Sequence, residues 1–430
     1  MKILEYPNNK ELNKALERPV FDNISLEKTV QKIIKQVQIK GDRALFDLTK
    51  KYDKAAISTL KVSIEEISKS EKIIQDDLKN AIRIAAENIA KFHNAQLPQE
   101  NEVETTKGVI CWQKPVPIEK LGLYIPGGSA PLISTVLMLA IPAQLAGCKQ
   151  IVLCTPPDKN GKINPAILYA AKISGVTEIY TCGGAQAIAA MAYGTESIPK
   201  VDKIFGPGNQ FVTMAKQIVS SQGIAIDMPA GPSEVMILAD ETANPEFIAV
   251  DLLSQAEHGA DSQVILITTS KLLINQTLVC LNDQLEALPR KDIAGQSLKS
   301  GAIILVSTEQ EMIQISNQYA PEHLIISTQK ADEFAQEITQ AGSVFLGDFT
   351  PESLGDYASG TNHTLPTNGF ARSYSGLNMD AYFKKITFQK ATKEGLKIIG
   401  PFVEQIAEAE QLQAHKNAVS IRLKTMKNED

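Results

Sequence analysis

Cysteine is scarce and scattered. The five residues Cys111, Cys148, Cys154, Cys182 and Cys280 include no C-x-x-C pair. An odd number of thiols in apolar, strand-like surroundings argues against a disulfide framework and matches reduced, buried cysteines of a cytosolic protein. None stands in an evidently electropositive turn, so a thiolate nucleophile is not expected. A basic surplus is missing too. The formal net charge is −6, and no Lys/Arg patch interleaves with aromatics, which excludes a nucleic-acid partner. The opening MKILEYPNNKEL has neither the apolar core of a signal peptide nor the Arg/Ser bias of a transit peptide. No apolar run approaches the ~20 residues that span a bilayer. The expectation is a cytoplasmic chain with no membrane partner.

What is present is enough chain, 430 residues, to bury more than one core. The first hundred residues read as helical. Val30, Ile33, Ile34 and Val37 keep helical spacing up to Gly41, and Ile74, Leu78, Ile82, Ala85, Ile89 and Phe92 do so again. His93 follows at the polar end of that second helix and reads as a surface residue without a role. From about residue 108, short apolar strands (LGLYI, QIVLC, EIYTC, KIF, then EVMILA, SQVILI, AIILVS, HLIIS, SVFLG) alternate with helical stretches and Gly/Pro turns. Strand, turn and helix in repetition predict parallel sheets covered by helices on both faces, and the number of units predicts two such domains. The tail beyond about residue 400 reads as a polar helix ending in a frayed KTMKNED.

Parallel sheets bind ligands at the carboxyl ends of their strands. Four turns, YIPGGSAP, CGGAQAIAA, FGPGNQFV and MPAGPSEV, place glycines beside polar side chains there. None is the dinucleotide fingerprint G-x-G-x-x-G; GPGNQF has Phe211 where the third glycine belongs. The histidines say more. His258 (SQAEHG), His323 (APEHLI), His363 (SGTNHTLP) and His415 (EQLQAH) all lie in the second half, and two of them follow a glutamate directly, as Glu257-His258 and Glu322-His323. Gln255 and His258 are three apart, on one helix face. Asp356, in ESLGDYASG, sits where a carboxylate points freely. Imidazole and carboxylate oxygen together suit a divalent metal, zinc first, although H-E-x-x-H is absent. On these residues alone a metal site and a solvated polar surface both remain open.

Together these motifs resemble those of the histidinol dehydrogenase family. IDMPAGPSEVMILADETANPEFIAVDLLSQAEHG (226–259) looks like its signature. GLYIPGG, GGAQAIAAMAYGT, FGPGNQFV, APEHL and GDYASGTNHTLPT follow the family's order, with the likeness running from roughly 20 to 425. Phe211 and Ala260 depart from the tyrosine and proline common there. The resemblance implies NAD⁺-dependent oxidation of L-histidinol through a held aldehyde to L-histidine, one zinc ion per subunit, and a homodimer whose C-terminal arms are exchanged. It implies Gln255, His258, Asp356 and His415 as zinc ligands. Ser233, Gln255, His258, His323, Asp356, Glu410 and His415 would touch substrate; Tyr124, Gln186 and Asn209 would touch NAD; Glu322 and His323 would carry the catalysis. His415 and Glu410 would serve the partner's site. Glu257 and His363 receive no role. The fold expected on this basis is α/β with two doubly wound, Rossmann-like parallel-sheet domains. One domain is 22–123 plus 235–377, the second is inserted as 124–234, and 1–21 with 378–430 form an arm or tail contributing to the dimer. Two other readings stay open: a zinc hydrolase with Glu322 as base, which would not need the Gly-rich turns, and a non-catalytic relative that keeps the fold.

Overall fold

A computed structural model describes residues 1–18, 23–127, 131–229 and 231–427. Two compact units emerge: residues 1–96 with 119–378, and 97–118 with 379–430.

The larger unit holds two parallel sheets. The first has six strands in the spatial order Lys2–Glu5, Ala302–Leu305, Gln263–Thr268, Glu234–Ala239, His323–Ser327 and Ser343–Leu346. The second has five: Glu178–Thr181, Gln150–Thr155, Lys120–Tyr124, Lys203–Phe205 and Ala225–Ile226. All neighbours in both are parallel. Leaving aside Lys2–Glu5, each sheet follows the doubly wound order third-second-first-fourth-fifth, so each has a switch point between its first and fourth strands. EVMILA, QVILIT, AIIL and HLIIS are buried along their whole length, as apolar strands sandwiched between helix layers must be. The chain is thus α/β with two Rossmann-like sheets.

The N-terminal segment joins the first sheet. Lys2–Glu5 pairs with Ala302–Leu305, and Leu4, Leu12 and Leu16 pack into the core beside Ile304 and Met236. The helix Asn23–Lys40 buries Val30, Ile33, Ile34 and Val37, the stripe its sequence spells out. The next expected stripe is corrected. One helix ends at Ile73 and another runs Asp76–Asn94, so Ile74 lies between them. Leu78 and Phe92 are exposed, and the buried face is Ile82, Ala85, Ile89 and His93. His93 is therefore no surface residue. It is fully buried, with Nδ1 2.9 Å from the Ile89 carbonyl oxygen, and burial lowers its pKa. Its spacing of four from Ile89 puts it on the apolar stripe whatever the polar stretch after it suggests.

The smaller unit is a three-stranded antiparallel sheet, Glu102–Thr106, Val109–Pro117 and Phe383–Ala391, with the helices Lys393–Ala409 and Gln413–Lys427. Trp112 stacks on Phe388 across the sheet, and the helices meet where Gly400 lies against Val419 and Leu423. The tail helix extends through KTMK, so the expected fraying there is not observed; Asn428, Glu429 and Asp430 fall outside the described residues. No helix among the described residues is long and apolar enough to cross a membrane.

Candidate active site

At the carboxyl edge of the second sheet, three turns converge. Tyr124 closes the first strand, and its hydroxyl accepts the Gly184 N–H at 3.0 Å. Gln186 is buried in the first turn of the helix Gly184–Tyr193. Asn209 caps the helix Gln210–Ser221, its Oδ1 accepting the N–H groups of Phe211 (3.0 Å) and Val212 (3.2 Å). These three residues line one cavity of about 600 Å³, together with Asp53 and Phe211. The FGPGN turn that delivers Asn209 needs its first glycine: Gly206 has φ +128°, and a Cβ there would meet the Tyr124 carbonyl oxygen at 2.1 Å. Of the turn YIPGGSAP, Gly128, Ser129 and Ala130 lie outside the described residues, as does Ala230 of MPAGPSEV.

The histidine-carboxylate cluster lies elsewhere, at the amino edge of the first sheet, which the carboxyl-end rule did not lead us to expect. His323 is the first residue of its strand and Glu322 stands just outside it, after Ala320 (φ +55°) and Pro321. That bend lets both side chains turn the same way, with Glu322 Oε2 3.6 Å from His323 Nδ1. The short helix Glu352–Tyr357 brings Glu352 and Asp356, one turn apart, to the same imidazole, and Asp356 Oδ1 is 3.6 Å from His323 Nε2. His323, Glu352 and Asp356 place potential ligand atoms within 4.8 Å of one another, close enough to hold a metal ion. The helix Pro245–Ala256 supplies Gln255 from its last turn, with His258 just past its end; Gln255 Nε2 and His258 Nδ1 are 3.0 Å apart. Gln255 Oε1 is buried with no hydrogen-bond partner. His363 supports from behind, Nδ1 at 2.8 Å from the Asp356 carbonyl oxygen and Nε2 at 3.2 Å from Thr135 Oγ1.

Burial and charge compete here. Burial pushes Glu322 up to about 8, against the pull of His323, and also raises Glu352. Burial would lower His323, but the carboxylates of Glu352, Glu322 and Asp356 prevail and raise it. Burial would raise Asp356, but His323, His363 and His258 prevail and lower it. Desolvation lowers His258, although its ring opens onto a cavity. Among the thiols, burial raises Cys148 to about 12 and lifts Cys154 and Cys182 further, so none of these is an activated nucleophile.

That second cavity, about 620 Å³, is lined by Ser233, His258, Asn209 and Arg18 among others. Asn209 therefore borders both cavities. Of the residues expected at the site, Ser233, Gln255, His258, Glu322, His323 and Asp356 gather at the first sheet and Tyr124, Gln186 and Asn209 at the second. Glu410 and His415 belong to the smaller unit, where both are exposed. Sequence reading missed three residues. Glu352 had a signal, standing four before Asp356. Glu234, which opens the strand after Ser233, and Arg18 had none that a single sequence displays.

Comparison with known proteins agrees over the whole chain. The profile of the family described as histidinol dehydrogenase matches residues 16–423. A histidinol dehydrogenase of Bacteroides thetaiotaomicron is 57% identical over 427 residues, covering 99% of this chain and 100% of the relative. One of Campylobacter jejuni is 54% identical over 434 residues, with coverage of 99% and 100%. The crystal structure of histidinol dehydrogenase from Elizabethkingia anophelis superposes with a TM-score of 0.97 at 56% identity, covering 99% of each chain.

Proposed function

This chain belongs to the histidinol dehydrogenase family, an oxidoreductase family, and from that premise we propose that it oxidises L-histidinol to L-histidine in two NAD⁺-dependent steps through a bound aldehyde. The observation that carries the reading is Asn209, shared by a cavity holding Tyr124 and Gln186 and a cavity holding Ser233 and His258. A hydride donor and its acceptor need such adjoining chambers. A hydrolase would leave the first chamber without a purpose.

Tyr124, Gln186 and Asn209 would hold NAD⁺, which supplies the hydride acceptor. Gln255, His258, Asp356 and His415 would hold one zinc ion. The donor set fits it: a buried amide oxygen without a partner, an imidazole whose pKa desolvation lowers, and a carboxylate kept charged. When bound, zinc would orient the imidazole and amino nitrogens of the substrate.

The chain's own residues would move the protons. The carboxylates around His323 favour its protonated ring, so it must first release a proton. In the neutral ring, Nδ1–H donated to the Glu234 carbonyl oxygen 3.1 Å away leaves Nε2 as the lone-pair nitrogen, and Nε2 has no hydrogen-bond partner. Nε2 would take the hydroxyl proton of histidinol, with Asp356 and Glu352 stabilising the imidazolium. Glu322, with a pKa brought near the working range, would then take a proton from the water that adds to the aldehyde. The resulting hydrate would give its second hydride to a second NAD⁺ and its hydroxyl proton to His323, deprotonated again between the steps. Ser233 would contact the substrate, as would Glu410 and His415 of an exchanged arm in a homodimer. The five free thiols suit a reducing, cytoplasmic setting.

The test is stoichiometry. With zinc-loaded protein and limiting L-histidinol, two NADH per substrate and histidine as product are expected. One NADH with free aldehyde would break the second step, and no NADH would overturn the reading.

A further inference from the structure

We infer that Arg18 and Glu234 are positioning residues that set the Glu322–His323 pair through the peptide groups of residue 234. The inference rests on the acid–base reading of that pair. The Glu234 N–H donates to Glu322 Oε2 at 2.8 Å, and the Glu234 carbonyl oxygen lies 3.1 Å from His323 Nδ1. One residue's main chain therefore holds the carboxylate with its donor and the ring with its acceptor. A shift of residue 234 moves both groups together.

What fixes residue 234 is its side chain. Arg18 grips the carboxylate with two prongs, Nε to Oε1 at 2.6 Å and Nη2 to Oε2 at 2.9 Å, and Oε1 also accepts the Asn368 N–H at 2.8 Å. The same Nη2 donates to the Tyr319 carbonyl oxygen at 2.9 Å, and the guanidinium lies over the Tyr319 ring, 3.8 Å from its centroid. Tyr319 opens the bend Tyr319-Ala320-Pro321 that delivers Glu322 and His323. Arg18 thus ties the starts of two adjacent strands, Glu234–Ala239 and His323–Ser327, at the edge where the pair emerges. The planar fork is what the geometry uses, and a lysine cannot reproduce it. The ion pair is buried, with side chains 15% and 2% exposed. Such pairs are weak devices for stability, because apolar replacements of equal volume serve as well. Two-pronged placement beside the catalytic candidates is better accounted for by the geometry it imposes.

Removing one partner strands a buried charge, so the test starts from conservative variants. Arg18→Lys and Glu234→Gln, as zinc-loaded full chains with L-histidinol and NAD⁺, should lose about 10- to 100-fold in kcat per folded chain, with both KM values within about threefold. Arg18→Ala opens a guanidinium-sized gap onto the cavity that Arg18 lines. Methylguanidinium should fill it and restore kcat saturably, and should do nothing for Glu322→Gln. Unchanged kcat in both conservative variants overturns the inference, as does a loss confined to KM or to melting temperature. So does a folded Arg18→Ala chain that methylguanidinium stabilises without restoring turnover. Glu322→Gln and His323→Asn run in parallel. If those two keep their turnover, the acid–base reading has failed; if they lose it while Arg18→Lys and Glu234→Gln keep theirs, only the present inference has.

Discussion

Nε2 of His323 lies 3.6 Å from Oδ1 of Asp356, and the two side chains are 4% and 14% exposed. The opposite ring nitrogen is committed to a main-chain carbonyl oxygen. A histidine so divided has one nitrogen for orientation and one for chemistry. Asp356 faces both demands at the site: it stands against the ring that would accept a proton and belongs to the set that would hold zinc.

Gln255 carries a two-signed prediction. Its Oε1 is buried without a partner, a cost of about 1–3 kcal/mol in the metal-free protein. Gln255→Met keeps the length and removes the orphaned oxygen. Metal-free Gln255→Met should unfold in urea at no lower midpoint than the metal-free parent, while bound zinc per chain, measured by elemental analysis, falls well below one. Full zinc occupancy in the variant would remove Gln255 from the ligand set.

Asp53 gives the pH dependence. Its Oδ2 is buried without a partner beside the Tyr124 cavity, and burial pushes its pKa up to about 6. The folded value exceeds the unfolded value of ~3.9. The protonated form is thus favoured by folding, and its contribution is fully present below pH ~4 and lost as the pH rises through about 6. Asp53→Asn should accordingly stabilise the protein at pH 7.5 by roughly 1–2 kcal/mol, discounted for a half-buried group, and change little at pH 4.5. Denaturant melts at the two pH values decide it; equal effects at both would mean the carboxyl is not desolvated.

Where the sequence spoke clearly, a periodic or ordered signal existed. Val30, Ile33, Ile34 and Val37 announced a buried helix face because the 3.6-residue repeat is written into neighbouring positions. Glu322-His323 was visible as a pair because the two residues are adjacent in the chain. His93 was misread because a polar stretch follows it, whereas burial is decided by the turn below it. Glu234 and Arg18 were illegible for a different reason: they meet across 216 positions of chain. Nothing local marks a residue whose importance lies in what its main chain holds. The amino-edge location of His323 was legible, since it opens the strand HLIIS, but the carboxyl-end rule pointed to the other edge.

Gly206 tests the cofactor chamber. With φ at +128° and the Tyr124 carbonyl oxygen 2.1 Å from where a Cβ would stand, no side chain fits without moving the strand end. The N–H of Gly206 also donates to Asp227 Oδ2 at 2.8 Å, and its carbonyl oxygen accepts from Lys216 Nζ at 2.8 Å, so the turn is braced and cannot drift to relieve the clash. Gly206→Ala should raise the KM for NAD⁺ at least about tenfold through displacement of Tyr124 and Asn209, with a smaller change for L-histidinol. Equal changes in both constants would point to general loosening instead.

The exchanged arm is tested by mixing two inactive proteins. If His415 completes the partner's site, a heterodimer of His323→Ala and His415→Ala chains contains one intact site: the His415→Ala subunit keeps its own His323 and receives His415 from its neighbour. The other site lacks both. If His415 served its own subunit, each site in the heterodimer would still lack one histidine. Random exchange makes half of the dimers mixed, each with one good site in two, so activity should approach about a quarter of the parental value per site. Exchange itself is verified by mass spectrometry of differently tagged chains. Mixed dimers without turnover would place His415 in its own subunit's site; an active His415→Ala homodimer would instead place it outside the site, and the zinc set would then need a different fourth ligand. Glu352, already beside Asp356 and His323, would be the first to examine.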